Sequence, residues 1–316
     1  MLFLRLGLAL LGCILFALAV ILLICYFRMF RSPRRKADPD AIEIPEGEIY
    51  EEFREDMIAW TKSIRSLPRR DVSIRSHDGL TLRGYYYECR KGGPIEILFH
   101  GYKGYSERDL SGGVERCFKM GRNALLVDHR GSGRSDGHTI TFGILEKRDC
   151  LGWIDFVLRE FGPDCEIILT GVSMGAATVM MAAGEDLPKN VVCVLADCGY
   201  TSPKEIICKV MTDMKLPPRL VYPFARLSGR ILGGFDLDSN SPMKALSHSR
   251  VPVILIHGDA DDFVPCDMSH RLYEVCTSPH KKLTLIPGAG HGLAFPKNRE
   301  LYWASLREFE AEWRQG

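Results

Sequence analysis

The sequence predicts an α/β domain built on a mostly parallel, twisted sheet with helices on both faces, and three observations carry that expectation. Six short apolar runs rich in β-branched residues, at 95–99, 124–128, 166–170, 191–196, 253–257 and 283–286, are separated by helix-length segments, the pattern of buried parallel strands. The pentapeptide Gly171-Val172-Ser173-Met174-Gly175 lies between one such run and the helix-like stretch 176–183, so it reads as strand, sharp turn and helix with a serine at the apex. Beyond the first seventy residues of this 316-residue chain, roughly 245 remain, a usual size for one such domain.

At the amino terminus, residues 6–27 carry no charge and are almost wholly Leu, Ile, Val, Ala, Phe, Cys and Gly. As a helix, a stretch of about 22 residues spans roughly 33 Å, enough to cross a bilayer. A secretory signal peptide is the competing reading, but its apolar part is shorter and a small-residue cleavage site should follow. The expectation is therefore an uncleaved, single-pass anchor in the cell membrane, with residues 1–36 as anchor and basic flank. Arg5 stands on one side of the span and Arg28, Arg31, Arg34, Arg35 and Lys36 on the other, which places the following domain in the cytoplasm.

Residues 37–70 are expected to hold a linker, charged and proline-bearing, and then an amphipathic helix. Tyr50, Phe53, Met57, Trp60 and Ile64 recur at helical spacing, with Glu48, Glu51, Glu52 and Glu55 early and Lys62 and Arg65 late, as the helix dipole prefers. Its apolar face is expected to pack on the domain, with lipid contact as the alternative. The domain proper is expected over 71–316. Runs 71–76 and 80–88 flank His77-Asp78-Gly79 and predict an antiparallel hairpin ahead of the parallel strands. The stretch 200–246 is longer than a usual crossover and reads as a small helical cap, the alternative being an ordinary crossover helix with surface loops.

Charge and cysteine usage exclude several classes. The 41 basic and 40 acidic residues nearly cancel, so no electrostatic footprint for nucleic acid is present. The cysteines are scattered through apolar segments without CxxC spacing, as small buried hydrophobes of a reducing compartment would be. Neither HExxH nor another clustered ligand spacing occurs, so no metal and no cofactor is expected.

A serine hydroxyl is a poor nucleophile at neutral pH and needs a base that is itself oriented by an acid. His291, in Pro287-Gly288-Ala289-Gly290-His291-Gly292, follows the last strand. Asp261 lies just beyond the preceding one, between Asp259 and Asp262. With Ser173, both fall at carboxyl ends of strands, where open α/β sheets place their ligands.

At this point the chain resembles a serine hydrolase of the α/β-hydrolase superfamily. The resemblance runs from about residue 71 to the carboxyl terminus and rests on five motifs in family order. These are His100-Gly101-Tyr102-Lys103-Gly104, the stretch 128–135 from Asp128 to Ser135, the serine pentapeptide, the segment 257–265 around Asp261, and Gly288 to His291. It is most similar to small-capped, N-terminally membrane-anchored members with esterase-like or aminopeptidase-like labels. The resemblance implies Ser173 as nucleophile, His291 as general base and then acid, and Asp261 as the orienting carboxylate. Asp197 is the alternative acid. It also implies an oxyanion hole made by the backbone amides of Tyr102 and Met174, with the Tyr102 side chain lining the acyl pocket or packing. His100 and His129 are expected to be structural. Arg130 and Arg134 are expected in salt bridges, or alternatively on a substrate phosphate or carboxylate. The expected substrate is a small-molecule ester or other acyl compound, apolar and bound under the cap. Amide hydrolysis, acyl transfer and a non-catalytic binding protein are the alternatives.

Overall fold

The computed structural model describes residues 2–32 and 41–315, so the expected basic flank at Arg34, Arg35 and Lys36 lies outside the described residues. The strands are β1 (Arg70–Arg75), β2 (Thr81–Tyr87), β3 (Ile95–Phe99), β4 (Asn123–Val127), β5 (Ile167–Val172), β6 (Val191–Asp197), β7 (Val253–Gly258) and β8 (Lys281–Ile286). They form one eight-stranded sheet in the order β1-β2-β4-β3-β5-β6-β7-β8. The β1–β2 hairpin is antiparallel, β2 pairs antiparallel with β4, and every later pairing is parallel. Each residue of β3 and β4 is buried, which is why these strands read as predominantly apolar runs and not as alternating ones, with Glu96 and Asn123 as the polar members.

The helices are α1 (Leu2–Cys25), α2 (Arg54–Ser66), α3 (Ser106–Lys119), α4 (Glu146–Phe161), α5 (Met174–Ala182), α6 (Pro203–Asp213), α7 (Pro218–Leu232), α8 (Pro242–Leu246), α9 (Asp267–Val275), α10 (Ala294–Lys297) and α11 (Arg299–Gln315). Trp153 and Val157 of α4, Val179 and Met180 of α5 and Leu272 of α9 share one core with the sheet. Trp60 of α2, Leu110 and Val114 of α3 and Tyr302 and Leu306 of α11 pack on the opposite face. The apolar face of α2 thus packs inward, its Trp60 ring 5.6 Å from that of Phe295.

One buried polar cluster ties β3 to its neighbours. Glu96 is fully buried and bonded to Arg116, to Arg122 Nη1 at 3.0 Å and to the Thr170 hydroxyl at 2.7 Å. Two guanidinium groups outweigh the burial that would otherwise raise its carboxyl, and hold it down to about 2.

The amino-terminal helix departs from the expectation of an appendage separate from the domain. Residues 2–21 are exposed apart from half-buried Leu18, but Leu22, Cys25 and Phe30 are buried. After Cys25 the helix widens into a π-type turn, Tyr26–Phe30. Phe30 then sits edge-on to Phe142 and Phe235, at ring-centre distances of 6.0 and 5.2 Å. The sequence pattern could not separate the two roles, because an aromatic that enters a protein core and one that faces lipid are equally apolar.

Candidate active site

The site is built where β5 turns into α5. Ser173 has φ +57° and ψ −115°, a left-handed backbone that a non-glycine residue adopts at a cost of about 1–3 kcal/mol. The flanking glycines make this turn possible. A Cβ on Gly171 would lie 2.1 Å from the Gly175 carbonyl carbon, and one on Gly175 would lie 2.0 Å from the Phe99 oxygen. The Ser173 amide donates to the Asp197 carbonyl at 2.9 Å, tying the turn to the end of β6.

The structure brings Ser173, His291 and Asp261 together. His291 is carried on the loop after β8, between Gly288 and Gly292 at φ +68° and +69°. Its Nε2 lies 2.9 Å from Ser173 Oγ, and its Nδ1 lies 2.7 Å from Asp261 Oδ2. Burial alone would raise the Asp261 carboxyl. Hydrogen bonds from His257 and His291, with the Val264 amide, instead hold it down to about 2. Its Oδ1 accepts the amides of Phe263 at 3.0 Å and Val264 at 2.8 Å. This geometry suits an ionised carboxylate that accepts from a protonated Nδ1 and leaves Nε2 facing the serine hydroxyl as an acceptor.

The other candidates fall elsewhere. Asp197 is buried at the end of β6 and its Oδ2 accepts the Tyr302 hydroxyl at 3.0 Å, not His291. Asp259 accepts the Gly288 amide at 2.7 Å and so braces the histidine loop. His100 and His129 are bonded to each other, the His129 amide reaching His100 Nε2 at 3.0 Å, and burial pushes both imidazoles down to about 3. Arg130 forks onto Asp149 with two bonds of 2.7 Å, and Arg134 pairs with Asp71. The amides of Tyr102 and Met174 donate to no protein acceptor among the described residues.

Residues that the sequence did not single out hold this arrangement. His257 Nε2 donates to Asp261 Oδ2 at 3.1 Å and to the Val264 carbonyl at 2.8 Å, while its Nδ1 accepts from the Ser269 hydroxyl at 2.6 Å. Its position at the end of β7, four residues before Asp261, was the available signal. Asp109 accepts the Gly101 amide at 3.3 Å, and a Cβ on Gly104 would collide with its carboxylate. Asp128, buried, accepts the amides of Ser106 at 2.9 Å and Arg134 at 3.1 Å, joining the loops after β3 and β4.

Among the described residues the cluster with metal-ligating groups is Cys198, Asp261 and His291, whose donor atoms lie within 4.8 Å of one another. Burial pushes the Cys198 thiol well above its usual range. An ion there would take the carboxylate and imidazole away from Ser173.

A cavity of about 530 Å³ opens beside Ser173 and His291. Its apolar lining includes Tyr50, Trp60, Leu98, Tyr102, Phe263 and Phe295, and residues 45–50 form one wall. None of the residues lining this cavity comes from 200–246, the stretch expected to form the cap. In that segment Tyr222 and Ala225 of α7, with Phe235 and Leu237 after it, share one core with Phe30 and Phe142.

The family profile described as "Serine aminopeptidase, S33" matches residues 95–249 and 239–298. The protein YqkD of Bacillus subtilis, itself described as uncharacterized, is 25% identical over 287 residues, 90% of this chain and 91% of that protein. The polyketide transferase ATR5 of Stachybotrys chlorohalonatus is 35% identical over 138 residues, 43% of this chain and 46% of that protein. Among solved structures, the Pyrococcus furiosus esterase Pf2001 superposes with a TM-score of 0.68 at 22% identity, covering 90% of this chain and 98% of that one. An esterase from Exiguobacterium antarcticum gives 0.56 at 17% identity, over 75% and 98%. These structural likenesses speak to the fold alone, whereas the profile spans the strands and loops that carry the site. The chain belongs to the serine aminopeptidase S33 family of the α/β-hydrolase superfamily and is a hydrolase.

Proposed function

We propose that the protein is a membrane-anchored serine hydrolase that cleaves a carboxylic ester through an acyl-enzyme. The observation that carries this reading is the continuous hydrogen-bonded relay from Ser173 Oγ through His291 to Asp261. Ser173 attacks the ester carbonyl as His291 Nε2 takes its proton, and the same imidazole returns that proton to the departing alkoxide. Water then enters by the reverse proton path and releases the acid. The amides of Tyr102 and Met174, without protein acceptors, are assigned to the oxyanion of both tetrahedral intermediates.

The apolar wall of the cavity supports an apolar acyl or alcohol group. Anchoring is supported by α1, the one helix among the described residues long and apolar enough to cross a membrane. Its exposed part, residues 2–21, is about 30 Å long. Phe30, buried in the domain core, favours an anchor over a cleaved leader, because a leader contributes nothing to the mature core. Arg28 and Arg31 beyond the span favour a cytoplasmic domain.

The test is fluorophosphonate labelling together with turnover of p-nitrophenyl esters of increasing chain length by the full-length protein in detergent. Ser173→Ala and His291→Ala are expected to abolish turnover with folding intact. Absence of a Ser173 adduct in the folded wild type would favour a non-catalytic binding protein instead. Amide hydrolysis is the second reading, favoured by Glu48 and Asp262 on the cavity wall, whose carboxylates suit a substrate amine. An aminoacyl-nitroanilide in the same assay separates it, and competing alcohols reveal acyl transfer.

A further inference from the structure

We propose that the turn Tyr26–Phe30, where α1 enters the domain, is a positioning element for the oxyanion loop. The proposal rests on the reading of Tyr102 N–H as an oxyanion donor. The last carbonyls of a helix have no intrahelical partners and carry partial negative charge. Here they are satisfied by the loop itself. The Tyr102 hydroxyl donates to the Met29 carbonyl at 2.6 Å, and Lys103 Nζ donates to the Arg28 carbonyl at 2.9 Å.

The loop has reason to need these contacts. Lys103 has φ +54°, a left-handed conformation that persists only where the surroundings enforce it. The Tyr102 ring stacks on Phe142 at 5.0 Å, and Phe142 in turn lies edge-on to Phe30. Burial pushes the Tyr102 phenol up, so it remains a protonated donor across the working pH range.

The turn and its flanks are held by the segment 138–140 and by the cap. The Ile140 amide donates to the Phe30 carbonyl at 2.7 Å, and the Ser32 amide to the His138 carbonyl at 2.9 Å. Tyr26 and Thr139 share a hydroxyl bond of 2.7 Å. On the cap side, Ser228 Oγ donates to the Leu22 carbonyl at 2.8 Å. Residues that precede the first motif, His100 to Gly104, therefore fix where an amide of the site points. The π-type geometry contributes, since it widens the helix end at the point where the carbonyls must leave the helix axis.

The experiment measures kcat, KM and melting temperature for the full-length protein in detergent micelles on one p-nitrophenyl ester. The variants are Tyr102→Phe, Phe30→Ala, Phe30→Leu and, as a stability control, Val157→Ala in the buried face of α4. Tyr102→Phe keeps the amide, the ring and the stack and loses one hydroxyl. It is expected to lower kcat about tenfold with KM within about twofold, and Phe30→Ala about 10- to 100-fold, since misplacing a catalytic group by about 1 Å costs about 10²-fold. Phe30→Leu is expected to recover most of the loss, and Val157→Ala to lower the melting temperature while keeping kcat. Wild-type kcat in folded Tyr102→Phe overturns the proposal. So does a kcat loss that merely follows melting temperature in all variants, Val157→Ala included. A wild type whose turnover does not depend on Ser173 overturns the hydrolase reading and this inference with it, a result distinct from either of the others.

Discussion

Replacing Gly175 by alanine tests the geometry of the serine turn most directly. An ideal Cβ at this position would lie 2.0 Å from the Phe99 oxygen, 2.6 Å from the Phe99 carbon and 2.9 Å from the His100 oxygen. All three are backbone atoms, so no rotamer change relieves the contact. Reaching a tolerable separation of 3.0 Å from the Phe99 oxygen requires β3 and α5 to part by at least about 1 Å. Phe99 leads into the loop that presents the Tyr102 amide, and Gly175 follows Met174, so this separation moves the two assigned oxyanion donors apart. A misplacement of that size costs about 10²-fold in rate. The assay is ester turnover and fluorophosphonate labelling of Gly175→Ala in detergent, with melting temperature recorded. Gly152→Ala serves as the reference, because its Cβ meets only the far end of Ile74 at 3.2 Å and alanine favours the helix. The expected result is a kcat about 100-fold lower in Gly175→Ala and unchanged in Gly152→Ala. Turnover of Gly175→Ala within threefold of wild type would refute the reasoning, since β3 and α5 would then have yielded without disturbing the site.

Two further outcomes follow from buried carboxylates. Burial raises Asp197 to about 6, whereas an aspartate in the unfolded chain titrates near about 4. The folded state therefore holds this proton more tightly, so stability falls as pH rises from about 4 to 6 and the deficit is complete above that window. Asp197→Asn should raise the melting temperature at pH 7.5 and lose that advantage at pH 4. An equal shift at both values would contradict the assignment. Glu96→Gln leaves Arg116 buried without its counter-charge and Arg122 with Glu310 alone, and should cost about 3–5 kcal/mol in urea unfolding. A loss under 1 kcal/mol would show that the guanidinium groups find other partners.

The site was legible in the sequence wherever backbone geometry restricts residue choice. Gly171 and Gly175 cannot carry a side chain, so the pentapeptide around Ser173 announces its own turn, and the strands beside it announce themselves by predominantly apolar, β-branched sequence. Asp261 was separable from Asp259 and Asp262 through the family spacing, and the structure shows the physical difference: Asp261 faces the imidazole, Asp259 braces a loop. His257 was not legible, because its part depends on Asp261 and Ser269 converging on it from separate elements. The wall of the cavity was illegible for a related reason. Residues 45–50 line the cavity together with Ser173, and the amphipathic pattern that predicts packing of α2 on the domain does not say where on it α2 docks. The strand limits differ by a residue or two, as at β5, where the apolar run ends at Thr170 but pairing with β6 continues to Val172.

The clasp between α1 and the domain also bears on how the molecule is oriented. A catalytic domain on a slack tether samples a wide cone of directions, whereas this one is gripped through Leu22, Tyr26 and Phe30 and must turn with its helix. The exposed segment 2–21 therefore acts as a spoke. Whatever medium receives it sets, by its tilt, the compass bearing of the cavity mouth.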